Sequence, residues 1–283
     1  MNVCFIGAGS MGSLLTEALI EAGALMPEQV TIATRTRSKA EALAARYPGL
    51  AVAADNRSGA KDAKLVFLCV KPSDFRTVLD DIVPALSRDQ IVVSITSPIR
   101  IASLEEIVPS KVAKIIPSVI NSVGNGASLF MFGERLNGDD RDSLLGLFSA
   151  ISRPVEIREE EVRVASDLSS CGPAFFAFLL EQFIEAAATE TGMNRQTAST
   201  LACEMLLGTS RMLQKSGCSP AELQRRVSVP GGITAAALAE LRDATKDAFP
   251  RVLRTTHEKF AEDVEKAESL LRLRKLQERH GNP

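Results

Sequence analysis

Two stretches have residue types and spacing that suit chemistry: Gly7-Ala8-Gly9-Ser10-Met11-Gly12 and Pro230-Gly231-Gly232-Ile233-Thr234. The first carries glycines at the G-x-G-x-x-G spacing, which suits a turn that closes on a pyrophosphate. Gly7 permits the tight turn, Gly9 lets the phosphates approach the backbone, and Gly12 lets the following helix pack close. Ser10 and Met11 complete the binding set, because the first helical N–H groups face the phosphates with the positive end of the helix dipole. In the second stretch, two glycines and a threonine expected in the N-cap position leave backbone donors at a helix start, as a carboxylate site needs. An ordinary interhelical turn has the same sequence, so its residues alone leave that stretch open. The third unusual piece is Ser169-Ser170-Cys171-Gly172-Pro173, where Gly-Pro interrupts a helical pattern. Such breaks occur where backbone lines a ligand, and also where two helices simply join.

The elements around the first stretch decide its meaning. Val3-Cys4-Phe5-Ile6 is a short strand-type run, and Leu14, Leu15, Ala18, Leu19 and Ala22 recur at helical spacing until Gly23. Strand, glycine turn and helix together predict a bound dinucleotide. The next apolar run, residues 30–34, ends without the Asp or Glu that holds a ribose 2′-hydroxyl. Arg35, Thr36, Arg37, Ser38 and Lys39 stand there instead. Cations and hydroxyls match a 2′-phosphate, so NADP is the expected cofactor. Ser38 also suits the N-cap of a helix over residues 40–46.

Further strand-type runs fall at residues 65–70, 91–95, 112–116, 129–132 and 155–157. Helical patterns alternate with them at 74–86, at 103–107 (opened by a Ser-x-x-Glu capping box) and at 139–151. This alternation predicts an α/β fold, a doubly wound and mostly parallel sheet covered on both faces. From Glu159 onward only helical patterns remain, at 174–190, 195–215 and from 234 past 270. The expected domains are therefore residues 1–158, binding the dinucleotide, and 159–283, all helical. Residues 175–184 carry apolar side chains on most helical faces, which predicts burial against a partner subunit. The charge-rich tail, residues 258–279, reads as a solvated helix.

At 283 residues, 45% of them hydrophobic, the chain can bury a real core. A net charge of −2 offers nothing to nucleic acid or an acidic membrane. No run approaches the ~18 apolar residues of a membrane span. Met1 leads straight into the first strand, so a cytoplasmic protein is expected. The five scattered cysteines show no disulfide framework and no metal-ligand spacing. The two histidines, His257 and His280, lie far along the chain, which argues against an imidazole base beside the cofactor.

Together, Phe5–Gly12, the Val70-Lys71-Pro72 after the third long strand, Ser-Ser-Cys-Gly-Pro-Ala-Phe and Pro-Gly-Gly-Ile-Thr resemble the pyrroline-5-carboxylate reductase family over nearly the whole chain. The resemblance implies a Rossmann domain followed by a helical domain that dimerises, sometimes into larger rings. It also implies NAD(P)H-dependent reduction of a cyclic imine acid to L-proline. By position, Thr234 would bond the substrate's ring nitrogen, Gly231 and Gly232 would hold its carboxylate, and Lys71-Pro72 would border the cofactor. The chain departs from the family where Asn-Thr-Pro is replaced by Ser118-Val119-Ile120 and where Val229 replaces a serine. It departs again at Ser169-Ser170-Cys171. These variants look closest to a late-competence, ComER-like branch. The departures imply weakened turnover, and set against retained chemistry a non-catalytic, dinucleotide-binding regulatory dimer linked to competence. Dehydrogenases of the 3-hydroxyisobutyrate type share the glycine motif but need an inner-helix lysine, and residues 174–190 contain none.

Overall fold

The computed structural model describes the backbone of residues 1–280 and the side chains of residues 1–272; residues 281–283 and the His280 side chain lie outside the described residues. Eight strands form one sheet: β1 (Val3–Ile6), β2 (Val30–Ala33), β3 (Ala51–Val52), β4 (Leu65–Leu68), β5 (Ile91–Ser94), β6 (Lys111–Ile116), β7 (Ala127–Phe132) and β8 (Arg153–Glu156). Their order is β3-β2-β1-β4-β5-β6-β7-β8. All neighbours are parallel except β6 and β7, which run antiparallel. The link from β6 to β7 holds only the single 3-10 turn Val119–Val123 and is too short for a crossover helix, so the chain reverses.

The helices that complete this part are α1 (Ser10–Glu21), α2 (Arg37–Arg46), α3 (Asn56–Lys61), α4 (Phe75–Ile82), α5 (Ile101–Glu105), α6 (Gly138–Ser149) and α7 (Val162–Ser166). After them come α8 (Gly172–Thr191), α9 (Arg195–Ser216), α10 (Pro220–Val227), α11 (Ile233–Thr245) and α12 (Ala248–His280). β1 and β4 are apolar throughout because both faces are covered. Alternate residues divide between two cores. Phe5 and Phe67 stack at 4.8 Å on one face, while Cys4, Ile6, Val66 and Leu68 belong to the other.

Several boundaries differ from those the periodicity predicts, for local reasons. The helix expected over 40–46 begins at Arg37 with Thr36 as its cap, so Ser38 lies inside the first turn. Ser103 does not cap α5, which starts at Ile101; its hydroxyl instead donates to Glu268 at 2.7 Å. The helical pattern 74–86 stops at Ile82 and ends in a tight turn, Val83–Ala85, because Pro84 supplies no N–H. The run from 234 past 270 is two helices, α11 and α12. Of the expected solvated tail, the side chains of residues 273–279 lie outside the described residues, and those of 258–272 are not all solvated. Ala267 and Leu271 of α12 are 1% and 3% exposed within the second sheet-face core, with Phe260 packed beside them.

Two compact units divide the chain, one holding Met1–Cys171 with Thr256–Pro283 and the other Gly172–Thr255. Residues 159–171, expected with the helical half, lie in the sheet-bearing unit. Polar contacts hold them there: Lys114 to Glu159, Ser118 Oγ to the Ser169 carbonyl at 3.0 Å, and Thr256 Oγ1 to Asp167 at 2.7 Å. The interruption expected at Gly172-Pro173 is a π turn, Asp167–Cys171.

The helical unit buries little of its own. Its core is Ile184, Ala198 and Ala202, while Phe176, Phe178 and Phe183 are 54%, 59% and 63% exposed. The helical stretch Glu159–Thr191 is also long and apolar enough, by length and composition, to cross a membrane. No unbroken run of ~18 apolar residues lies within it. Counting consecutive apolar residues misses it, because Glu181, Gln182 and Glu185 interrupt a stretch that stays apolar on average.

Candidate functional site

A cleft of about 920 Å³ opens at the carboxyl ends of β1, β2 and β4. The strand order reverses between β1 and β4, and in open α/β sheets ligands bind at that point. Gly7, Gly9, Arg35, Thr36, Arg37 and Lys71 line the cleft. Gly7 has φ +105°, and a Cβ there would lie 2.5 Å from the Cys69 carbonyl oxygen. A Cβ on Gly12 would lie 2.0 Å from the Gly7 oxygen. Gly9 is different, because a Cβ there would meet nothing within 4 Å and would project into open space. The turn is therefore closed beneath and open above, as a backbone cradle for phosphate must be. Helix α1 starts at Ser10 with Gly9 as its cap and no side-chain cap on its first N–H groups. The amides of Ser10, Met11 and Gly12 are thus left for an anion.

At the far end of the cleft, Arg35, Thr36, Arg37, Ser38 and Lys39 are all exposed. Arg37 spends its Nε on Glu41 at 2.9 Å. Arg35 and Lys39 form no ion pair among the described residues and are the more available cations. Pro72 opens a short turn just beyond Lys71, and neither it nor Ser10, Met11, Gly12 or Ser38 is among the lining residues.

The remaining wall went unpredicted. Asp55 and Asn56 line it from the start of α3, and the Asn56 amide donates to Asp81 at 3.1 Å. Ser58 donates its backbone N–H to Asp55 at 2.7 Å, and with its hydroxyl holds that carboxyl below the ordinary range. The Asp-x-x-Ser spacing of this cap was the available signal. Cys69 lies beneath the turn, and burial pushes its thiol well above the usual range.

The second stretch belongs to the helical unit. Gly231 has φ +75°, a conformation that favours glycine. Thr234 is not the N-cap. Gly232 caps α11, because its extended backbone accepts the Ala236 N–H at 3.2 Å, and Thr234 is the second helical residue. The Gly232 N–H is also spent, donating to the Val229 carbonyl at 2.9 Å. The Gly232 N–H is thus not available to a ligand, whereas the first-turn amides of α11 have no side-chain cap. The Thr234 hydroxyl makes no hydrogen bond among the described residues and lies half-buried beside them.

Ser118 and Cys171, two of the departures noted above, are structurally engaged. Ser118 is fully buried, donating its hydroxyl to Ser169 and its N–H to Asn121 at 2.7 Å. Arg163 bridges Asp167 at 2.7 Å and the Cys171 sulfur at 3.2 Å.

Comparison with known proteins gives a family match in each half of the chain. Residues 159–263 match the family described as pyrroline-5-carboxylate reductase dimerisation. Residues 2–98 match NADP oxidoreductase, coenzyme F420-dependent. ComE operon protein 4 of Bacillus subtilis is 38% identical over 264 residues, covering 93% of this chain and 97% of the relative. The pyrroline-5-carboxylate reductase of Methanosarcina acetivorans is 30% identical, with 86% and 90% covered. Among solved structures, the Plasmodium falciparum pyrroline carboxylate reductase with NADP bound superposes with a TM-score of 0.80. It is 25% identical, and the match covers 95% of this chain and 98% of that one.

Proposed function

Because the chain belongs to the pyrroline-5-carboxylate reductase family, we propose that it is a cytoplasmic, homo-oligomeric NADPH-dependent reductase of a cyclic imine acid. The substrate is pyrroline-5-carboxylate or a close analogue, and the product is L-proline or its analogue. The observation that carries this reading is the cleft itself, which is closed beneath Gly7 and Gly12, open above Gly9 and cationic at residues 35–39.

The residues present fit the cofactor. The α1 amides take the pyrophosphate, Arg35 and Lys39 take the 2′-phosphate, and Lys71 borders the cleft. NADPH supplies the hydride. The imine carbon is already electrophilic, so the chain's task is positioning rather than general base catalysis. The first-turn amides of α11 hold the substrate carboxylate, assisted by the helix dipole. The Thr234 hydroxyl would bond the ring nitrogen, and the proton that nitrogen gains on reduction would pass through this hydroxyl from solvent.

Two results test the reading. Arg35→Glu is expected to remove most of the preference for NADPH over NADH, a change of about tenfold or more, since a charged hydrogen bond contributes roughly 1.5–3 kcal/mol. Titration of both cofactors against both proteins decides it, and equal affinities in the unaltered protein would sink the 2′-phosphate assignment. The second result is turnover. NADPH oxidation with pyrroline-5-carboxylate is expected at a rate below the ordinary enzyme median of about 10 s⁻¹. Thr234→Ala should lower kcat by a further ~10- to 100-fold, the cost of one hydrogen bond strengthened in the transition state. NADPH binding without turnover, unrelieved by Val229→Ser, would instead indicate a non-catalytic, dinucleotide-binding dimer.

A further inference from the structure

The loop joining β5 to α5 is gripped from inside the sheet. Lys114 lies in mid-β6 opposite Ser94 and is 1% exposed. Its ammonium donates to the Ser97 carbonyl at 3.1 Å and to the Glu159 carboxylate. The same Glu159 oxygen accepts the Ile101 N–H at 3.0 Å. The Lys114–Glu159 pair, its ammonium buried and its carboxylate partly exposed, thus holds both ends of residues 97–101. On its other side the loop meets the cofactor wall. Thr96 Oγ1 is 3.4 Å from the Val70 carbonyl, and the Thr96 N–H donates to Ser94 Oγ at 3.3 Å. Val70 and Lys71 line the cleft.

Strand order says which part of the cofactor this wall would meet. The cationic residues 35–39 follow β2, on one side of the glycine turn. β4 and β5 lie on the other side, toward the nicotinamide end of a dinucleotide stretched across the switch point. Stability does not account for a lysine here. Val112 and Ile116, which flank Lys114 on the same strand face, are core residues. A buried ammonium carries a desolvation cost that its partners must offset, and an apolar side chain at this position would carry none.

We propose that Lys114 is a positioning residue: by holding Ser97 and Glu159 it fixes the Thr96-Ser97-Pro98 loop against Val70, and so sets the nicotinamide end of the cleft. The inference rests on the NADPH reading above. The charged groups facing the ammonium are Glu159, Arg100 of the loop and Glu268 of α12. Burial holds Lys114 below the usual lysine range, and Glu159 opposes that shift.

The test uses the full chain with Lys114→Met, Lys114→Arg and Glu159→Gln. The probes are 2′,5′-ADP, which engages the adenine end alone, and NADPH, whose nicotinamide emission changes on binding. Lys114→Met should keep 2′,5′-ADP affinity within about twofold while losing half or more of the bound-NADPH emission change, with kcat lowered ~10-fold and KM moved less than ~3-fold. Lys114→Arg should restore most of both, because a second cation can reach the same acceptors. Should Lys114→Met fail to fold, Glu159→Gln should show the same split, since it loosens the grip without emptying the core. Unchanged emission and kcat in the folded variant would overturn the proposal. Equal loss of 2′,5′-ADP affinity would overturn it too, since the residue would then be holding the whole unit. Should the unaltered protein reduce no imine acid, the emission split still decides the role of Lys114, whereas the substrate reading alone fails.

Discussion

Gly12→Ala is expected to abolish NADPH binding, with affinity falling about 100-fold or more. The added methyl would start 2.0 Å from the Gly7 carbonyl oxygen and 3.0 Å from the Cys69 side chain. The first of these neighbours is backbone, inside the turn that α1 must touch, so no flexible side chain can move aside. Either α1 lifts away or the turn opens. Both movements withdraw the Ser10 and Met11 amides from the phosphates. Each charged hydrogen bond so lost costs roughly 1.5–3 kcal/mol, and two of them already exceed a hundredfold. Gly9→Ala separates crowding from obstruction. Its methyl meets nothing in the protein, so the fold should hold while the phosphates lose their close approach. Gly146→Ala, on the open side of α6, should leave binding unchanged. Titration by NADPH emission, with circular dichroism as the check on folding, gives the result. A Gly12→Ala protein that binds within about threefold of the original would show that close packing of α1 is not what shapes the cradle.

The glycine turn was legible because its spacing, the strand before it and the helix after it all serve one geometry. The absence of an acid after β2 was equally legible, since it needs only the identity of residues 34–39. Other features depended on which backbone groups were already spent. Nothing in Pro230-Gly231-Gly232 reveals that the Gly232 N–H is turned back to Val229. Thr234 was read as a cap for the same reason. The short β3 and α3 escaped because two strand residues and six helical ones are too few for periodicity to register. Residues 159–171 read as helix, as they are, while their attachment to the sheet runs through Glu159, Asp167 and Ser169. Those contacts are long-range and polar, and they leave no hydrophobic pattern. Lys114 was hidden inside an apolar strand, where one polar residue looks like the exposed member of an alternation; only burial on both sheet faces shows otherwise.

The helical unit is expected to have no stable life as a monomer. Its internal core is one isoleucine and two alanines, far too little to offset the ordering of helices α8 to α11. Meanwhile Phe176, Phe178, Leu179 and Phe183 of α8, and Leu201, Met205, Leu206 and Leu207 of α9, are each 38% exposed or more. Covering a large apolar side chain contributes roughly 1.5–3 kcal/mol when complete. In a twofold assembly every such residue counts twice, which exceeds the ~4–15 kcal/mol cost of association. Analytical ultracentrifugation at submicromolar concentration should therefore show dimers or larger species and no folded monomer. Phe178→Glu with Phe183→Glu should break the assembly, because each carboxylate would have to be buried without a partner. The monomer so released should lose helical signal and bind anilinonaphthalene sulfonate, while any sheet-bearing unit that survives keeps affinity for 2′,5′-ADP. The apolar stretch Glu159–Thr191 has another physical outlet, a lipid bilayer, and flotation with liposomes separates the two. A protein that floats with vesicles, or one that stays folded and monomeric at submicromolar concentration, would mean that this face was not built for a second copy of the chain.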